Sequence, residues 1–63
     1  MALTLKAARV NKKLNQIEAA KEIGVSLSTL SKWERGLCFP SVKYIERITE
    51  VYGVKYDDLI FLP

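Results

Sequence analysis

The sequence predicts an all-α domain of five short helices within its 63 residues. Three observations carry that prediction. Apolar side chains recur at helical spacing, most clearly at Val42, Ile45, Ile48, Thr49 and Tyr52. Asn15, Ser26 and Ser41 each precede such a stretch, where a short polar side chain accepts from the free N–H groups of the first turn. Gly24, Gly36 and Gly53 stand just beyond, where a left-handed residue closes a helix. No segment alternates polar and apolar residues for long enough to read as a strand.

The first helix is expected to start after Thr4, its N-cap. Leu5, Ala8 and Arg9 share one face, on which only the charge of Arg9 is out of place. This helix should fade over residues 11–13, with Asn11 suited to a left-handed turn. The second helix starts at Asn15. Glu18, three residues on, can reach back to the cap's N–H and also complements the positive helix end. Ala19, Ala20 and Ile23 form its inward face, and the two small alanines let another helix approach closely.

Ser26 caps the third helix, with Val25 and Leu30 placed as a hydrophobic staple. Leu30, Trp33 and Glu34 face inward, while Leu27, Ser28, Ser31, Lys32 and Arg35 are left outside. The spacing of Trp33 from Leu30 favours a core residue over a stacking platform for bases. Arg35 suits the negative end of the helix. Residues 37–40 form a connection in which Pro40 disfavours helix at Phe39 and prepares the next start, capped by Ser41. Val51 widens the inward stripe of the fourth helix. A last short helix is expected over residues 56–60, with Leu59 inward and Val54 and Tyr56 packed at the junction.

A chain of this length has room for one domain, residues 1–63, and buries only ~60% of its unfolded surface. Modest stability is therefore expected unless a disulfide, a metal or a second subunit adds to the core. Cys38 is the sole cysteine, which excludes an intrachain disulfide and suits a cytoplasmic location. It has no resolving partner, so an inert loop thiol is preferred to a redox sensor. With no histidine and no cysteine pair, a structural zinc site is not expected. Nor is a cofactor. The apolar runs are too short to span a membrane, and the N-terminus has no signal pattern. No carboxylate pair, nucleophile–base set or phosphate-cradling glycine loop points to an enzyme or to a small-molecule substrate.

The net charge of +3 is unevenly placed. Residues 1–43 hold eight basic side chains against three acidic ones; residues 44–63 hold two against four. The basic part contains residues 15–36, two short helices joined by a tight turn at Gly24, Val25 and Ser26. That is the asymmetry of a face for a polyanion, although an ordinary solvated helix surface gives it too.

The chain resembles the small helix-turn-helix proteins of the phage repressor and Cro type. The residues that carry the likeness are Ala7-Ala8-Arg9, Leu14-Asn15-Gln16, Ala19-Ala20, Ile23-Gly24-Val25-Ser26 and Thr29-Leu30. It continues through Trp33-Glu34-Arg35-Gly36, Pro40-Ser41, Ile45, Tyr52-Gly53-Val54 and Asp57-Asp58-Leu59. No single tripeptide is specific; the ordered set is. The resemblance implies a compact, lambda-repressor-like five-helix fold that binds double-stranded operator DNA, usually as a symmetric dimer. It departs from the family at Lys13, where glycine is frequent, and at Leu27, where a polar reader such as glutamine is frequent.

Carried onto these residues, the resemblance makes Leu27, Ser28, Thr29 and Lys32 base-facing, with the bland alternative of a solvated face. Lys32 can reach guanine O6 and N7, and Leu27 offers only apolar contact, as with a thymine methyl. Asn15, Gln16, Arg35 and Lys43 are the phosphate candidates, with capping alone the competing role for Asn15 and a free side chain that for Lys43. By the same resemblance Arg9 and Glu34 are expected to form a buried or half-buried ion pair. Tyr56, Phe61 and Leu62, apolar near the C-terminus, are the expected homodimer interface. The competing function is a protein-interaction module on the same fold, such as an antitoxin-like or anti-repressor partner.

Overall fold

The computed structural model describes residues 2–61. In order these form β1 (Leu3–Thr4), α1 (Leu5–Asn11), α2 (Gln16–Ile23), α3 (Leu27–Glu34), α4 (Val42–Tyr52), a 3-10 turn (Tyr56–Asp58) and β2 (Leu59–Ile60).

Local polar chemistry starts the helices. Thr4 Oγ1 accepts from the Ala7 N–H at 3.1 Å and so caps α1. At α2 the capping box is complete: Asn15 Oδ1 accepts from the Glu18 N–H at 2.7 Å, and the Asn15 N–H donates to Glu18 Oε1 at 3.0 Å. Ser26 Oγ accepts from the Thr29 N–H at 3.1 Å to start α3. Ser41 has the extended backbone of an N-cap, but its hydroxyl makes no cap hydrogen bond, so the expected side-chain cap of α4 is corrected.

Two turns set the path of the chain. Gly24 closes α2 at φ 92°, and a Cβ there would meet nothing within 4 Å, so the need for glycine is purely conformational. After α1 the left-handed residue is Lys13, at φ 60°, not Asn11. The reason is that the Lys12 and Lys13 N–H groups still donate, to the carbonyls of Arg9 and Val10 at 3.0 and 2.8 Å. The helical turn is thus drawn out by two residues before the chain reverses. A lysine held there costs on the order of 1 kcal/mol relative to glycine.

The core joins Leu5 and Ala8 of α1, Ala19, Ala20 and Ile23 of α2, Leu30 and Trp33 of α3, Ile48 and Tyr52 of α4, and Leu59. α2 packs on both α3 and α4, and the face it buries carries the two alanines. Trp33 is buried and lies against Tyr44 with ring centroids 5.7 Å apart, which makes it a core residue. Val42, expected on the inward stripe, is 73% exposed. As the first residue of α4 it lies beyond the surface that Ile48 and Tyr52 bury.

The expected fifth helix is not formed; the described residues contain four α-helices. Residues 56–58 make a single 3-10 turn, closed by the Asp58 N–H donating to the Lys55 carbonyl at 2.9 Å. One turn is too short a nucleus for an α-helix. The backbone of β2 is satisfied instead by parallel pairing with β1, Leu3 opposite Leu59 and Thr4 opposite Ile60. Leu59 still faces inward, as expected. Tyr56 does not pack into the core: it is 57% exposed and lies against Phe61, with centroids 6.0 Å apart. Leu62 lies outside the described residues. Among those residues, no helix is long and apolar enough to cross a membrane.

Candidate nucleic-acid interface

The site is built on a polar junction behind α3. Arg9, on the inward face of α1, meets Glu34 at the end of α3. Its Nε donates to Glu34 Oε2 at 2.8 Å and its Nη2 to Oε1 at 3.3 Å, a forked pair. The two side chains are 9% and 5% exposed. The third guanidinium nitrogen, Nη1, donates to the Leu14 carbonyl at 2.9 Å. Arg9 therefore ties α1, the α1–α2 loop and α3 together.

Gln16 joins this junction, its Nε2 donating to Glu34 Oε1 at 3.1 Å. The first residue of α2 is thereby held by the last residue of α3. An amide nitrogen has two N–H donors, so one remains for a ligand. The Tyr52 hydroxyl is buried with no hydrogen-bond partner among the described residues. Burial pushes its pKa from 10.0 up to about 12; the nearby Glu34 carboxylate adds to the rise and Arg9 opposes it.

In front of the junction lies an open groove between α1, α2 and α3. Asn15, Gln16, Leu27 and Arg35, four of the candidates, line it together. Lys6 and Ile17 line it too and were not singled out from the sequence. Lys6 had a local signal, since it stands one helical turn before Arg9. Ile17 had none beyond lying next to Gln16. Asn15 spends its side-chain oxygen on the capping box, which leaves its amide nitrogen for any contact.

On α3, Ser28 and Lys32 are exposed on the outward face, which Arg35 continues just past the helix end, with Leu27 on one flank. Thr29 is on the other flank and half-buried. Its hydroxyl accepts from Ser26 Oγ at 2.9 Å, so it is engaged within the cap. Lys43 lies apart from the groove, with its ammonium 5.7 Å from the Tyr44 ring centre, beside Gly24 and Arg47. Among the described residues, no group of acidic, histidine or cysteine side chains could hold a metal ion.

The chain is similar to known proteins in sequence. The chain is 38% identical over 55 residues to an HTH-type transcriptional regulator of Methanocaldococcus jannaschii, covering 87% of this chain and 83% of the relative. It is 36% identical over 52 residues to the cryptic phage CTXphi transcriptional repressor RstR of Vibrio cholerae, covering 82% and 47%. It is 32% identical over 56 residues to antitoxin PezA of Streptococcus pneumoniae, covering 89% and 35%. The chain thus spans about half of RstR and about a third of PezA. No solved structure matches it significantly. A helix-turn-helix family model matches residues 5–59, which include α1 through α4, the Arg9–Glu34 junction and all of the groove's lining but Thr4. The chain belongs to the helix-turn-helix family.

Proposed function

We propose that this chain is a sequence-specific DNA-binding transcription regulator that reads a near-palindromic operator as a homodimer. The observation that carries the reading is the groove, where the start of α2, the Leu27 and Ser31 flank of α3 and the cations Lys6 and Arg35 converge, next to the outward face that holds Ser28 and Lys32. A helix start presents free N–H groups to an anion, and Gln16, steadied by Glu34, adds a side-chain donor. In this reading Asn15, Gln16, Arg35 and Lys43 meet phosphates, while Leu27, Ser28, Thr29 and Lys32 face base edges in the major groove. The Thr29 oxygen accepts from Ser26 Oγ in the cap, and its O–H remains to donate. Two subunits place their copies of α3 about one helical turn apart, ~34 Å.

In-vitro selection from a random duplex library, followed by mobility shifts on the selected sites, tests this. A half-site sequence with dyad spacing is the expected result, with binding that falls steeply as salt rises. Replacing both Ser28 and Lys32 by Glu puts two negative charges on the outward face and abolishes binding. Salt-insensitive or absent binding overturns the reading. The second reading, a protein-interaction module, is favoured by one observation: Leu37, Phe39 and Val42 are 64%, 67% and 73% exposed. The same double Glu variant leaves such an interaction intact.

A further inference from the structure

We infer that Ile17 and Leu27 form an aliphatic clamp that reads the 5-methyl group of thymine. The inference rests on the DNA-binding reading above and names what one end of the groove selects. Ile17 is 67% exposed and Leu27 44% exposed, yet both line the groove that also holds Lys6 and Arg35. Single exposed aliphatic residues need no explanation. Two of them, contributed by different helices to one cationic groove, form an apolar site beside an anion-attracting one.

The rest of α3 leaves this site a task. Ser28 and Ser31 have short reach, and so does Thr29, which is half-buried and turned toward Ser26, whose Oγ donates to its hydroxyl at 2.9 Å. With Arg35 given to a phosphate, Lys32 is then the long base reader of the outward face, and it serves one flank. On the other flank stands Leu27, which has no hydrogen-bonding group, and Ile17 lines the same groove from α2. The major groove of DNA carries one aliphatic group, the thymine methyl, and apolar side chains recognise it by contact. Anionic backbone beside an isolated methyl is the chemistry that matches cations beside an aliphatic pair.

Replacing thymine by uracil removes the methyl and keeps every hydrogen-bonding group. The experiment places uracil at each thymine of the selected operator in turn and measures affinity for four proteins: the wild type, Ile17→Ala, Leu27→Ala and the double variant. Both side chains are exposed, so the variants are expected to melt with the wild type. One thymine per half-site should lose about fourfold in wild-type affinity per methyl, the worth of one buried carbon. Each single variant should shrink that loss, and the double variant should bind the thymine and uracil operators equally.

A wild type that binds its operator but is indifferent to uracil at every position overturns the clamp and leaves the DNA-binding reading standing. So does a uracil penalty that persists in the double variant, since another residue then reads the methyl. If the wild type selects no duplex at all, the DNA-binding reading fails and the clamp falls with it.

Discussion

Arg9 and Glu34 are the residues on which most of the site depends. Each is nearly enclosed, and each has its charge met by the other at 2.8 Å. Removing one partner strands a buried charge, which costs about 3–5 kcal/mol, whereas removing both costs much less. Thermal or urea unfolding of Arg9→Met, Glu34→Leu and the double variant should therefore show strong coupling. Additive losses would mean that the pair does not lock α3. Tyr52 gives a second test at this scale. Burial favours its neutral phenol, so its contribution to stability is fully present below pH 10.0, the ordinary tyrosine value, and is lost as pH rises toward about 12. Tyr52→Phe deletes a hydroxyl that has no partner among the described residues, so it should cost little at neutral pH. It should also reduce the alkaline loss of stability, measured by urea unfolding at pH about 9 and about 11. An unchanged pH dependence would place the alkaline transition on other groups.

Among the elements, helix starts divide into two kinds. Asn15 and Ser26 close their helices with side-chain hydrogen bonds; Ser41 has the backbone geometry alone. Asn15→Ala and Ser26→Ala should each lower stability by about 1 kcal/mol. Ser41→Ala should change it by less than about 0.5 kcal/mol, as an ordinary surface substitution does. Equal losses at all three positions would show that helix-start propensity, not the side-chain bond, sets the effect. The C-terminal segment obeys a different rule. Residues 56–58 form one turn, and the chain then pairs with β1 rather than with itself. That pairing brings the two ends of the fold together and encloses Leu59 against the core.

For the whole molecule, charge and apolar surface fall in different places. The basic excess lies in residues 1–43, where Lys6, Arg35 and the start of α2 frame the groove. The C-terminal end is acidic overall and exposes Tyr56, whose ring lies tilted against Phe61. We propose that the homodimer contact lies there. Tyr56→Glu would put a charge into that contact while leaving the core intact. It should raise the dimer dissociation constant by sedimentation and weaken operator binding, with half-site affinity preserved. A wild-type chain that stays monomeric at millimolar concentration, both free and on its operator, would remove this interface.

What was legible in the sequence is what short-range chemistry decides. The caps at Thr4, Asn15 and Ser26 act over three residues, and the buried faces of α1 to α3 repeat every three or four. The inward place of Arg9 and of Glu34 followed from helical spacing, and their pairing from the family pattern. The tertiary structure alone decided what depends on distant segments meeting. It set Gln16 on Glu34, 18 residues away, left the Tyr52 hydroxyl beside that pair without a partner, and brought Ile17 and Lys6 to the groove of Leu27 and Arg35. It also turned an expected fifth helix into a 3-10 turn and a strand. The physical reason is common to all of these. A helix satisfies its backbone within its own few residues, so its pattern is local. A two-residue strand or a buried side-chain junction is satisfied only by groups that the fold brings from elsewhere.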